Sequence, residues 1–299
     1  MSALAASWLW AVFTIIAAAA QTIRNAAQLG LTRSLGTAGA THVRFLFGFP
    51  FALVFFAGVV MWLGPPLAWP PLVYWPWVAV GAGAQIAATA LMLAAMGDRS
   101  FVVVYAYIKT EPVQAALFGL LFLGDIVTPQ MGAAILIATA GVVGMALKPG
   151  TQSDVTATLL GLAGGAMFAI SVVGFRGAIL SLGLADYVLA ASLTLLLGLL
   201  IQTVLLSAYL LWRQPAVLAS VIRAWRPSLF AGFMGALASQ FWFLAFALAT
   251  AASVRTLALV EVLFAQGISH FVFKQSTSRR EAFGVLTIVI GVGLLLWAH

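Results

Sequence analysis

Two glutamates stand near the middle of long apolar stretches, where a carboxylate needs a chemical reason to be present. Glu111 lies inside the apolar run 100–123, and Glu261 lies at a similar depth in the run 251–273. A charge at the centre of a membrane helix costs about 2.5–3.5 kcal/mol or more, so such charges usually mark the path of an ion or a solute. We predict that both carboxylates bind the ammonium group of a solute or carry a coupling proton. The alternative is an ion pair that fixes helix packing.

Lys109 is a third intramembrane charge, close to Glu111 in the sequence but not facing it on a helix. Positions two apart point in different directions, whereas Lys109 shares a face with Tyr105 and Pro112. Both charges are therefore expected to have partners on other helices. Lys109 and Tyr105 are candidate binding residues. Pro112 lacks an N–H and frees a backbone carbonyl, which makes it a candidate for gating or coupling.

Other cationic and histidine side chains inside the apolar runs have weaker claims. If the solute is phosphorylated, Arg44 and Arg255 would bind it together with Lys109, although Arg44 is close enough to the end of its run to reach the membrane surface instead. We expect His42 and His270 to be packed and hydrogen-bonded.

Two further groups of residues recur at equal spacing and predict the walls of a cavity. Residues at i, i+4, i+7 and i+11 share one helical face. The first such group is Gln85, Thr89, Met92 and Met96, and the residues 150 positions later are Gly235, Ser239, Trp242 and Phe246. An aromatic surface with a few polar groups suits an amphipathic solute. Ordinary helix packing is the alternative. A third polar stripe consists of Thr14, Gln21 and Asn25.

The composition of the whole chain requires a membrane. Of 299 residues, 64% are hydrophobic and 7% are charged, whereas soluble domains have about 45–50% apolar and about 25% charged residues. So few charges cannot cover a soluble protein. The net charge of +7 fits basic membrane loops better than nucleic-acid binding. With no cysteine and three scattered histidines, we expect no metal site and no cofactor.

Apolar runs separated by glycine, proline and charged residues predict an all-α polytopic membrane protein with ten transmembrane helices. The predicted spans are 4–24, 39–62, 74–96, 100–123, 129–147, 158–180, 186–211, 228–249, 251–273 and 281–298.

Features of the first half of the chain recur after the linker at 148–154, which indicates a duplication. Glu111 and Glu261 are 150 residues apart. Two glycines nine residues apart in the fifth span recur in the tenth: Gly132, Gly141, Gly284 and Gly293. We therefore predict two repeats, 1–150 and 151–299. Because each holds an odd number of spans, the second must be inverted in the membrane.

The distribution of basic residues predicts the orientation. Ten of the 14 basic residues flank odd-numbered connections, and one flanks an even-numbered connection. Since basic residues favour cytoplasmic loops, we expect the odd-numbered connections in the cytoplasm and both termini outside.

The fourth and fifth spans contain a run of recognisable residues. The run reads Glu111-Pro112-Val113-Gln114-Ala115-Ala116-Leu117-Phe118, then Leu123-Gly124-Asp125 and Gln130-Met131-Gly132. It resembles the drug/metabolite transporter superfamily, in particular the EamA-like ten-helix transporters, and the resemblance extends over nearly the whole chain as two copies. The second copy departs from the pattern, with Val262 in place of the proline and Lys274-Gln275 in place of the acidic turn.

The resemblance implies a transporter, and with the residues above it predicts the function. We expect a transporter of small metabolites in the cytoplasmic (inner) membrane, with amino-acid export as the leading case, by alternating access around a midplane cavity between the repeats. The alternatives are an exchanger of phosphorylated sugars or nucleotides and an exporter of organic cations or drugs. A membrane-embedded enzyme and an assembly subunit are more distant rivals.

The sequence also limits the partners and the energy source. No phosphate-binding loop or catalytic motif occurs, so we expect neither ATP hydrolysis nor enzymatic activity. The expected partners are a small-molecule substrate and the lipid bilayer, without nucleic acid. A homodimer is the alternative to a monomer.

Overall fold

The computed structural model of the chain describes residues 3–64, 69–95, 101–146, 155–271, 274 and 278–298. Within these ranges the chain forms thirteen α-helices and no strand, which confirms the all-α fold class. In chain order the helices are α1 Ala3–Leu46, α2 Phe49–Leu63, α3 Tyr74–Ala95, α4 Phe101–Ile108, α5 Glu111–Leu123, α6 Pro129–Ala146, α7 Val155–Ser181, α8 Tyr187–Arg213, α9 Pro215–Arg223, α10 Trp225–Leu248, α11 Ala251–Leu257, α12 Val260–Phe271 and α13 Arg279–Ala298.

Six of the thirteen described helices begin and end within a few residues of a predicted span. The agreement is close for α3, α6, α7, α8, α10 and α13. The short helix α9 lies in a segment predicted as a loop, where Pro215 occupies a favourable first-turn position. The fourth and ninth predicted spans are each divided into two helices.

The first two predicted spans are joined by helix instead of the expected loop. α1 continues to Leu46, and its one non-helical residue is Gly36, with φ of 67° and ψ of 179°. Glycine adopts positive φ without the steric penalty that a Cβ atom imposes. The chain therefore changes direction at this single residue.

The helices are those of an integral membrane protein. In the described part of the chain, five helical stretches are long and apolar enough to cross a membrane: Ser34–Leu63, Thr158–Ser181, Tyr187–Arg213, Trp225–Leu248 and Arg279–Ala298. Large apolar side chains also lie on the outer surface, where water would not favour them. Met61 is 86% exposed, and Trp62, Trp212 and Trp297 are each 78% exposed.

The chain divides into two compact units, and each unit contains segments from both halves of the sequence. The first unit comprises residues 1–86 and 174–248, and the second comprises residues 87–173 and 249–299. The predicted repeats, 1–150 and 151–299, are a different division of the chain and stay a prediction.

In the first unit, α10 packs along α1 and against α8 and α2. The helix α9 covers the later part of α1, where Val221 is fully buried in a cluster with Leu31 and Leu35. Close approach of α3 and α7 depends on glycine. A Cβ atom at Gly174 would lie 2.7 Å from the backbone nitrogen of Gly81.

In the second unit, α6 packs along α13, and α5 packs against α11. A Cβ atom at Gly141 would lie 3.0 Å from the carbonyl oxygen of Gly284, and one at Gly291 would lie 2.5 Å from the nitrogen of Ala138. Small residues thus bring these helix backbones together, as is common in membrane proteins.

Candidate functional site

Two membrane-length segments of the second unit are interrupted at equivalent positions. α4 ends at Ile108 and α5 begins at Glu111, while α11 ends at Leu257 and α12 begins at Val260. The two breaks are 149 residues apart, one residue less than the separation of the two glutamates. The prediction of continuous helices over 100–123 and 251–273 is therefore wrong at these two points.

Local hydrogen bonding accounts for the first break and accompanies the second. At the first, Pro112 has no N–H to donate to the preceding turn. Thr110 donates from Oγ1 to the Tyr107 carbonyl oxygen at 2.6 Å. The second break has no proline, but Thr256 donates from Oγ1 to the Ala252 carbonyl oxygen at 2.7 Å. Threonine side chains that bond to the backbone of the preceding turn bend helices.

Each break places a glutamate in the first turn of the helix that follows. Glu111 is the first residue of α5, and Glu261 is the second residue of α12. The first is 3% exposed and the second 7%. The N-terminus of a helix carries partial positive charge, which stabilises a carboxylate there.

Charged residues at each break form ion pairs with charged residues at the other break. Arg255, in α11, donates from Nη2 to Oε2 of Glu111 at 2.6 Å. Lys109, at the first break, forms an ion pair with Oε1 of Glu261. Each glutamate is thus paired with a cation from the other half of the sequence. The prediction that Lys109 and Glu111 have partners on other helices is confirmed. We refer to Lys109, Glu111, Arg255 and Glu261 as the crossed pairs.

The crossed pairs are buried and balanced. Lys109 is 7% exposed, and the Arg255 side chain is 12% exposed. Two cations and two carboxylates cancel in formal charge, which offsets part of the cost of removing them from water. One acceptor lies outside this arrangement. Oε1 of Glu111 is buried and accepts no hydrogen bond from the residues that the structure describes.

Neighbouring groups support the first break. Gln114 donates from Nε2 to Thr110 Oγ1 at 3.3 Å and to the Leu162 carbonyl oxygen at 3.4 Å. The backbone of α7 comes close because of its glycines. A Cβ atom at Gly161 would lie 2.6 Å from the Cβ of Tyr107, and one at Gly165 would lie 3.1 Å from the Ile108 carbonyl oxygen.

The predicted stripe on α3 is divided between the two units. Gln85 belongs to the first unit, where it accepts a hydrogen bond from Gln202 Nε2 at 2.8 Å. Thr89 belongs to the second unit and is 3% exposed. Met92 packs against the buried side chains of Val104 and Ile108. That contact is helix packing, and a role for Met92 in a cavity wall stays a prediction. Met96 and the side chain of Tyr105 lie outside the described residues.

The predicted stripe on α10 is buried in the first unit and faces α1. Trp242 donates from Nε1 to Oε1 of Gln21 at 3.1 Å, and its ring stacks on Phe246 with the centroids 6.2 Å apart. Ser239 is 6% exposed. The α10 stripe therefore meets the polar stripe predicted on the first span.

Two arginines adjoin the start of this stripe. A Cβ atom at Gly235 would lie 3.4 Å from Cδ of Arg24 and 3.6 Å from Cγ of Arg44. Arg24 is 5% exposed and Arg44 is 8% exposed. Burial does not fit a side chain that extends to the membrane surface. Arg24 was not among the residues that the sequence predicted to bind a solute.

The histidines bear out the sequence interpretation where they are described. His42 is fully buried, and its Nε2 lies 3.0 Å from Oγ of Ser207. The side chain of His270 lies outside the described residues. Among the described residues, no group of three or more side chains could hold a metal ion.

Comparison with known proteins establishes the fold but not a family. No protein-family model matches the chain, and no curated protein matches it. Chains of solved structures do match it. One of them, described only as the crystal structure of a protein, aligns with 98% of this chain and 96% of its own length, with a TM-score of 0.72 and 14% sequence identity. At this identity, the likeness shows a shared fold alone.

Proposed function

We propose that the protein is a transporter that moves small metabolites across the cytoplasmic (inner) membrane by alternating access. In this proposal the chain forms ten transmembrane helices in two inverted repeats, and the solute binds near the middle of the membrane. Amino acids and similar amines are the leading solutes. The observation that carries the proposal is the pair of broken helices joined by the crossed pairs.

Broken helices support transport because irregular backbone is expensive in lipid. It is tolerated at membrane depth only where protein or a water-filled cavity surrounds it. In secondary transporters, interrupted helices at matching positions of two repeats form the solute site. The breaks at 109–110 and 258–259 match in this way. A protein with a purely structural role has no need to interrupt two helices at one register and bury four charges there.

The balanced charges suggest how a solute would drive the conformational change. Adding one positive charge, either an ammonium group or a proton, upsets a cluster in which two cations already neutralise two carboxylates. Glu111 is the favoured acceptor, because its Oε1 has no hydrogen bond from the described residues. A solute bound there competes with Arg255 for the carboxylate. Its differential affinity for two conformations would shift their equilibrium.

The test is solute flux in vesicles that contain the purified full-length chain. We would measure uptake of labelled amino acids, organic cations, sugar phosphates and nucleotides. Glu111→Gln and Glu261→Gln are each expected to reduce uptake about tenfold or more while leaving the protein folded, because each removes one charge-assisted interaction. Glu281→Gln is the matched control, because this carboxylate accepts a hydrogen bond within its own turn, from the Ser278 nitrogen at 2.8 Å. Full uptake by both site variants would overturn the role of the glutamates.

Exchange of phosphorylated solutes is the second candidate, and it is favoured by the buried cation Lys109. Lys109→Gln separates the two candidates. The substitution should abolish exchange of an anion that binds Lys109, whereas it should only weaken export of an amine. Flux of each solute class in this one variant therefore decides between them.

A further inference from the structure

The first unit contains a cluster of positive charge that the crossed pairs do not explain. Arg24, from the middle of α1, and Arg44, from its last turn, place their aliphatic stems against the same residue, Gly235 of α10. Any larger residue than glycine would occupy the space beside these stems. Two guanidinium groups on buried stems present rigid donor arrays suited to oxyanions.

The amino-acid composition of this unit makes its formal net charge positive. Residues 1–86 and 174–248 contain seven arginines and one acidic residue, Asp186. The carboxylate of Asp186 caps α8, where its Oδ1 accepts hydrogen bonds from the nitrogens of Val188 and Leu189, both at 2.9 Å. The 2.7 Å bond from Arg24 Nη2 to Asn25 Oδ1 joins the arginine to a neutral amide and does not cancel its charge. The unit therefore has a large positive surplus.

An aromatic surface on α10 continues from the arginines along the contact between α1 and α10. Gln21 lies one turn before Arg24 on α1, and it accepts the hydrogen bond from Trp242. Trp242 lies two turns after Gly235 on α10 and stacks on Phe246. Ser239 lies between Gly235 and Trp242 on that face. Positive charge, a hydroxyl and an indole ring thus follow one another along the seam between α1 and α10.

We propose that Arg24 and Arg44 bind the oxyanion of a solute, a carboxylate or a phosphate, whose apolar body lies toward Trp242. The inference rests on the proposed function only in regarding that anion as part of the transported solute. The binding itself can be measured without transport.

The absence of cysteine from the natural chain allows a direct test. Ser239→Cys exchanges one oxygen for sulfur and places a single thiol between the arginines and Trp242. The full-length variant would be treated with methanethiosulfonate reagents of similar size, one anionic and one cationic. After correction for their reactivity with a free thiol, the anionic reagent should react about tenfold faster or more, because positive potential raises its local concentration.

Arginine substitutions in this background test the source of the preference. Arg24→Gln and Arg44→Gln should each lower the ratio of the two rates several-fold. Arg226→Gln, which removes an exposed arginine from the same unit, should leave the ratio unchanged. If a glutamine variant does not fold, Arg24→Lys and Arg44→Lys take its place. These lysine variants should keep the ratio but lose protection by added anions, because lysine keeps the charge and loses the planar donor array.

Added solutes identify the anion. Benzoate or phenyl phosphate should slow labelling of the introduced thiol, whereas benzylamine and benzyl alcohol should not. Protection by benzoate at lower concentration assigns the site to a carboxylate, and the reverse order assigns it to a phosphate. Equal rates for both reagents, no reaction with either, or equal protection by benzylamine would each overturn the site. If vesicles with the natural chain show no solute flux while the labelling preference is intact, the transport proposal alone is overturned.

Discussion

The second compact unit balances its buried charges, whereas the first carries a surplus of positive charge. In the second, two cations and two carboxylates form the crossed pairs at the helix breaks. In the first, Arg24 and Arg44 lie in a unit whose one acidic residue caps a helix. A balanced cluster can hold helices in place and respond to one added positive charge. The formal positive surplus of the first unit instead favours an anion. The two units of one chain therefore differ in how the cost of burying charge is offset.

The largest effect on stability should come from unbalancing the crossed pairs. Glu111→Leu removes the carboxylate that Arg255 contacts at 2.6 Å. Breaking a buried pair in this way typically costs about 3–5 kcal/mol. The double variant Glu111→Leu with Arg255→Met should recover most of that loss, because both charges are gone. Thermal unfolding in detergent measures the stability of the single and the double variant. An unfolding temperature for Glu111→Leu equal to that of the natural chain would refute the charge balance.

A somewhat smaller effect is expected where α7 packs against the first break. Gly161→Ala places a Cβ atom 2.6 Å from the Cβ of Tyr107 and 2.7 Å from the Val104 carbonyl oxygen. Overpacking of this kind costs about 1–3 kcal/mol. Gly132→Ala is the matched control, because no atom lies within 4 Å of its added methyl group, and helix propensity should make it neutral or stabilising. Equal unfolding temperatures for the two variants would show that α7 does not need glycine there.

Removing the carboxylate of the first unit should cost less. Asp186→Ala deletes the cap of α8, for which about 1 kcal/mol of stability is typical. If Asp186 instead neutralised the buried arginines, the loss would approach that of Glu111→Leu. Thermal unfolding of the two variants side by side therefore tests the contrast between the units.

The smallest effect concerns the hydrogen bond between Trp242 and Gln21. A double-mutant cycle with Trp242→Phe and Gln21→Leu should give a coupling of about 0.5–1.5 kcal/mol, the net value of one buried hydrogen bond. Additive losses would show that the seam between α1 and α10 does not depend on this bond.

The fold was more predictable than the site because apolar runs determine where helices form. The ends of α3, α6 and α13 follow from hydrophobicity and from the punctuating glycine and proline residues. The break before α5 had a signal in Pro112. The break before α12 had none of comparable strength, since a threonine that bends one helix is tolerated in many others.

The candidate site shows the same limit. The depth of Glu111, Glu261 and Lys109 in apolar runs indicated these residues, and helical spacing correctly predicted that Lys109 and Glu111 have partners on other helices. Spacing could not show that Arg255 pairs with Glu111, because that contact joins residues 144 positions apart. It also could not distinguish Met92 as a packing residue from Met92 as a cavity wall. Only the neighbouring helices determine that difference.

The most direct test of the crossed pairs in transport is the flux of a charge-balanced variant. Glu111→Gln with Arg255→Gln removes one charge of each sign and keeps hydrogen-bonding groups at both positions. Arg279→Gln with Glu281→Gln makes the same change in formal charge at the start of α13, where Arg279 is exposed. Both variants should fold, and we predict that only the first loses solute flux in vesicles. Flux of the first variant at the natural rate would contradict the account, because the carboxylate of Glu111 would then have no part in transport.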